Sequence, residues 1–207
     1  FEPVKRMFNF SVKVLITNIV NTVSNNILTL IFGGLYPLKV VGDYSQANKW
    51  NTMANSFVAN AVGQVAQPVL ASVNEERGRE VRVFRKMMRF TAFLSFPAMF
   101  GLAIVSREFI LITIKEKWID AIPPLQMLCI GGAFVPFYTM YQNVALSNGR
   151  SDIYMRCNVI QIILQLAIIA FCYRLGINAM VMFYTLFTIA WLLVWQYAAH
   201  RIIGIRL

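Results

Sequence analysis

Charge is absent from long, regularly spaced stretches of this chain, and that constrains its fold more than any other feature. No Asp, Glu, Lys or Arg occurs in residues 14–38, 50–74, 90–106, 121–149, 157–173 or 175–200. An α-helix needs about 20 predominantly apolar residues to cross the hydrocarbon core of a bilayer. Four of the six runs have 25 residues or more; 90–106 and 157–173 have 17 each, so their flanking arginines must snorkel to the headgroups. The whole chain is 58% hydrophobic and 14% charged, against about 25% charged in soluble domains. The pattern predicts an all-α integral membrane protein, a six-transmembrane-helix bundle, with spans at about 8–32, 44–73, 83–105, 121–146, 152–174 and 178–200. All of 1–207 reads as one such unit.

The second span is not uniformly apolar. At about 100° per residue, Trp50, Ala54, Phe57, Val58, Ala61 and Val65 share one side. Asn48, Asn51, Thr52, Asn55, Ser56 and Asn60 gather on the other, with Gln64 and Gln67 drifting round the edge. Hydrocarbon offers amides no hydrogen-bond partner, and each unpaired group costs several kcal/mol there. The polar side must therefore meet other helices or a water-filled cavity, and the length of the stripe favours a cavity. The first span repeats the theme with Asn18, Asn21, Asn25 and Thr29. Lys13 lies at one end of that row and Lys49 at the end of the second, where each would attract an anionic pyrophosphate or sugar ligand. In the fourth span Tyr138, Tyr141, Gln142 and Asn143 are placed either to bind a sugar or to lie at the membrane interface. The fifth span carries Asn158, Gln161 and Gln165 on one face.

Catalytic chemistry finds little to build on. His200 is the single histidine and stands at a helix end, so no Ser-His-Asp or Cys-His set forms around it. Cys129, Cys157 and Cys172 have no metal spacing. No Gly-rich phosphate loop is present. All nine acidic residues fall at loops or helix ends, leaving no mid-membrane carboxylate for ion coupling. The chain is thus expected not to be an enzyme and to need no metal or cofactor. Its net charge of +10 does not imply nucleic acid, because the cations flank hydrophobic runs rather than covering a soluble face. With both ends in the cytoplasm, thirteen Lys and Arg lie inside, against six outside, as the positive-inside rule requires. Pro68 and Pro97 lie within spans and are expected to bend them. Residue 1 is Phe, so the chain reads as a piece of something longer.

Six segments in order resemble one family. They are GDYSQANKW (42–50), QVAQPVLASV (64–73), NEERGREVRVFRKMMRF (74–90), SFPAMFGLAIVSREFI (95–110), KEKWIDAIPPLQMLCIGG (115–132) and ALSNGRSD (145–152). Together they resemble the polysaccharide exporters, or O-antigen flippases, of the multidrug/oligosaccharidyl-lipid/polysaccharide superfamily, whose fold is MATE-like. The resemblance implies one lobe, the second, of a two-lobe transporter that flips undecaprenyl-pyrophosphate-linked oligosaccharide for surface polysaccharide or lipopolysaccharide synthesis. It implies the bacterial inner membrane, alternating access, and lipid-linked oligosaccharide, membrane lipid and an N-terminal lobe of the same chain as partners. Lys13, Asn18, Asn21, Asn25, Asn48, Asn51, Thr52, Asn55, Asn60 and Tyr141 are then the substrate-cavity candidates. Two alternatives stand beside this reading. One is a drug or cation exporter of the same superfamily, which would more readily carry a buried acid. The other is a membrane enzyme such as a polysaccharide polymerase or lipid-linked glycosyltransferase, which would typically need catalytic residues in a large loop.

Overall fold

The computed structural model describes residues 8, 11–12, 14–19, 22, 33–34, 36–72 and 77–204. Lys13, Asn21 and Asn25 lie outside the described residues. Among those described there is no strand. The helices are α1 (Leu38–Ala71), α2 (Arg77–Ile104), α3 (Ser106–Ile114), α4 (Ile122–Gly132), α5 (Val135–Ser147), α6 (Ser151–Cys172) and α7 (Ile177–Ile203). A 3-10 segment, Glu116–Ala121, joins α3 to α4. Residues 14–19, from the first expected span, are also helical.

Four stretches among the described residues are long and apolar enough to cross a membrane: Gly78–Ile104, Glu116–Ser147, Ser151–Cys172 and Ile177–Ile203. They correspond to the third to sixth expected spans. Helix α1 is the longest, at 34 residues, and its amides keep it out of that set. Large side chains such as Phe57, Phe93, Ile112 and Phe171 stand more than three-quarters exposed. Such exposure is costly in water and costless in lipid. The molecule is an all-α multi-pass membrane protein.

Turn chemistry explains where the spans end. Gly149 has φ +70° and Gly176 φ +90°, left-handed backbone that glycine adopts without a Cβ clash. The Arg150 N–H reaches back to the Ala145 carbonyl at 2.8 Å and closes the α5–α6 turn. Helix α1 runs through Pro68 and α2 through Pro97 without interruption. The break falls in the fourth span instead, at Ala133–Phe134. There Pro136 lacks the N–H that a continuous helix would donate to Gly132, and its ring crowds that carbonyl. The Phe137 N–H bonds Phe134 O at 3.1 Å rather than reaching back to Ala133. Ser95 of α2 fills the gap: its hydroxyl donates to Ala133 O at 2.7 Å.

Helix α1 sits against α2, α4 and α5, while α7 packs on α4, α5 and α6. Two apolar cores result. One gathers Phe84, Met140, Tyr141, Val144, Tyr154 and Trp195. The other gathers Tyr44, Ala47, Met99, Ile110, Leu125 and Cys129 toward the opposite end of the spans. Gly131 and Gly132 let α4 approach both neighbours. A Cβ on Gly131 would come 3.0 Å from Thr185 of α7, and one on Gly132 would meet Asn51 and Asn55 of α1 at 2.5 Å.

A polar row along the first long helix

Helix α1 separates its polar residues into two sets. Asn55 is buried and Asn51 partly buried. The Asn55 Nδ2 donates to Asn51 Oδ1 at 3.1 Å, and the pair lies against Gly132. These two amides are packed at a helix crossing. The other set is Asn48, Thr52, Ser56, Asn60 and Gln64, each four residues after the last. Asn48 is partly buried and the rest are exposed. Residues four apart on a helix are surface neighbours, so the five form one continuous polar row. The row winds slowly, because four residues advance about 400°, or 40° past a full turn.

The opposite flank of α1 is apolar. Trp50, Met53, Phe57 and Ala61 border a crevice of about 610 Å³, closed on its far side by Leu94, Leu102 and Phe109. Trp50 meets Phe109 edge-on, with ring centroids 4.9 Å apart. The row faces away from this crevice at Asn48 and, after turning by about 160° over its four steps, reaches the edge of the crevice side by Gln64. Lys49 follows Asn48 at the end of the row and is exposed, with Nζ 6.0 Å from the Trp50 ring centroid. No side chain of the row itself carries a charge.

The remaining candidates are scattered. Asn18 is exposed; its Oδ1 accepts from the Tyr154 hydroxyl at 3.4 Å, and its carbonyl accepts from Thr22 Oγ1 at 2.9 Å. That bond sets the described part of the first span beside α6. Tyr141 is buried in the core and lies tilted against Phe84, with centroids 5.5 Å apart. Tyr138 and Asn143 are buried as well, and Gln142 donates to Asn158 Oδ1 at 3.3 Å. Sequence reasoning did not connect Gly132 to the α1 amides. The adjacent glycines at 131–132 were the available signal, since such pairs mark close backbone approach in membrane helices.

Among the described residues, no group of three or more His, Cys, Asp or Glu side chains is arranged to hold a metal ion. The chemistry on offer is hydrogen bonding to a polar, uncharged row, with Lys49 beside one end.

The described helices and their exposed apolar side chains define a polytopic helical membrane protein. The chain belongs to the polysaccharide biosynthesis protein family, which it matches over residues 1–123. It is 29% identical over 189 residues to the teichuronic acid biosynthesis protein TuaB of Bacillus subtilis, covering 90% of this chain and 37% of TuaB. It is 26% identical over 142 residues to the lipopolysaccharide biosynthesis protein WzxC of Escherichia coli, covering 69% of this chain and 29% of WzxC. It is 26% identical over 139 residues to the succinoglycan biosynthesis transport protein ExoT of Rhizobium meliloti, covering 67% and 28%. The chain spans about a third of the length of these curated relatives. No solved structure matches it significantly.

Proposed function

We propose that this chain is the second lobe of a flippase that carries lipid-linked oligosaccharide across the bacterial inner membrane for surface polysaccharide synthesis. The polar row from Asn48 to Gln64, exposed from Thr52 onward, carries the reading. A helix bathed only in lipid would not keep five consecutive polar residues on one line, whereas a cavity for sugars needs donors and acceptors along the whole crossing. Family membership and a relative named for succinoglycan transport support it. In this reading Asn48, Thr52 and Asn60 face the cavity, joined by Asn18, Asn21 and Asn25 of the first span, while Asn51 and Asn55 hold α1 in place. Tyr141 contributes through packing. Lys13 and Lys49 flank the cavity and attract the pyrophosphate. The protein acts by alternating access rather than as an enzyme, with six spans in this lobe, both ends in the cytoplasm and a first lobe completing the cavity.

The test is complementation. The complete gene is expressed in a bacterium lacking its own polysaccharide flippase, and surface polysaccharide and inner-leaflet glycolipid are measured. Restored display with cleared intermediates is expected. Failure of the glycolipid to assemble at all in a knockout of the native gene would instead place the protein in synthesis.

A further inference from the structure

The break at Pro136 starts α5 inside the fourth span, and beside it α5, α6 and α7 enclose a second polar feature. It is a cavity of about 300 Å³, at the small end of the range for ligand pockets, about 300–1,000 Å³. Tyr138, Thr139 and Gln142 line it from α5, and Asn158, Gln161 and Gln165 from α6. The three α6 residues occupy the middle turns of a 22-residue helix that crosses the membrane, so the cavity lies near mid-depth.

Two of these six side chains are occupied. Gln142 donates to Asn158 Oδ1 at 3.3 Å, and Asn158 Nδ2 donates to the Tyr154 carbonyl at 2.7 Å. Tyr138 is 7% exposed, and its hydroxyl has no partner. Gln165 is 8% exposed. Polar groups at this depth cost several kcal/mol each when left unpaired. Pairing within the lining takes up only the Gln142 and Asn158 amides. The Tyr138 hydroxyl and the Gln161 and Gln165 amides point instead to an occupant.

The lining limits what that occupant is. No charged side chain borders the cavity, so a bare anion or cation would enter without a counter-charge, at a high desolvation cost. Amides and phenols both donate and accept, which suits the hydroxyl groups of a sugar. We propose that this cavity is a subsite for one neutral sugar ring of the transported glycolipid. The inference rests on the flippase reading and adds a second contact region to the α1 row.

The test uses thiol access in the complete protein, with Cys129, Cys157 and Cys172 replaced by Ala. Gln161→Cys, Gln165→Cys and Asn60→Cys are introduced singly. Modification by a small charged thiol reagent is timed in cells that accumulate lipid-linked oligosaccharide and in cells unable to make it. The expected result is modification at Gln161→Cys or Gln165→Cys that slows several-fold when the glycolipid is present. Equal rates at both cavity positions would overturn the subsite. In that case protection at Asn60→Cys would leave the flippase reading standing alone, and its absence would remove both. No modification at either cavity position in either cell would mean a dry, closed space and would also overturn the subsite.

Discussion

Gly132 faces Asn55 so closely that a methyl group on it would lie 2.5 Å from Asn55 Nδ2, and equally close to Asn51 Oδ1. The hydrogen-bonded amide pair of α1 is therefore seated on the bare backbone of α4. Met99 Cε lies 2.7 Å from the same point, so three side-chain ends would have to shift together. Gly132→Ala is expected to destabilise the protein by about 1–3 kcal/mol, the usual cost of overpacking, and to lower its melting temperature in detergent. Gly101→Ala meets nothing within 4 Å and serves as the control that should melt near the wild-type temperature.

Ser95 carries a different strain of the same region. Its hydroxyl is the partner of a carbonyl left over by the helix break, and Ser95 is fully buried. Ser95→Ala removes the donor without adding bulk. A buried carbonyl without its partner costs about 1–3 kcal/mol. The melting temperature should fall by a comparable amount to that of Gly132→Ala, although no atom has been added. A wild-type melting curve would mean that the α4–α5 break needs no help from α2.

Charge spacing located the apolar helices in the sequence, because a charge inside hydrocarbon is costly; the helix of the third starts at Arg77, six residues before the expected 83, since helix continues through the charged turn ahead of the apolar run. The polar character of α1 was equally visible. Its division was not. Asn55 and Asn60 look alike in sequence, and only the approach of Gly132 makes one of them a packing residue. Proline chemistry was also insufficient. Pro68, Pro97 and Pro136 each remove one hydrogen bond, yet only near Pro136 does the helix break, where Ser95 offers a substitute donor. The α5–α6 cavity was out of reach for a related reason: Gln142 and Asn158 come from separate segments, and nothing local says that they meet.

Glu80 ties the start of α2 to the α5–α6 turn. It is fully buried in the first turn of α2, and Asn148 in the α5–α6 turn donates to its Oε1 at 2.7 Å and to Val144 O at 3.0 Å. Asn148→Ala should cost about 1–3 kcal/mol, because it removes the donor to a fully buried side-chain oxygen, and should lower the melting temperature in detergent. A wild-type melting curve would mean that the start of α2 is held to the α5–α6 turn by other contacts.

The Lys39–Asp120 pair looks stronger than it is. Nζ and Oδ2 are 2.7 Å apart, joining the start of α1 to the 3-10 segment, but the side chains are 71% and 59% exposed. Exposed pairs contribute about 0–1 kcal/mol and weaken with salt. Lys39→Ala should shift the melting temperature by a degree or two at most, with less effect in high salt. A large loss would show that the pair is shielded in the membrane.

The division of α1 makes its two sets of amides separable by experiment. Asn60→Leu with Gln64→Leu alters only exposed positions, where substitutions usually change stability by less than about 0.5 kcal/mol. If the row lines a sugar cavity, this double variant inserts and melts like the wild type but displays little surface polysaccharide. Asn55→Leu behaves in the opposite way: it is buried against Gly132, so stability falls first and export falls with it. Were the row turned toward lipid, the Leu pair would relieve unsatisfied amides, raise the melting temperature and leave polysaccharide display intact. Measuring both quantities on both variants separates a cavity from a lipid face.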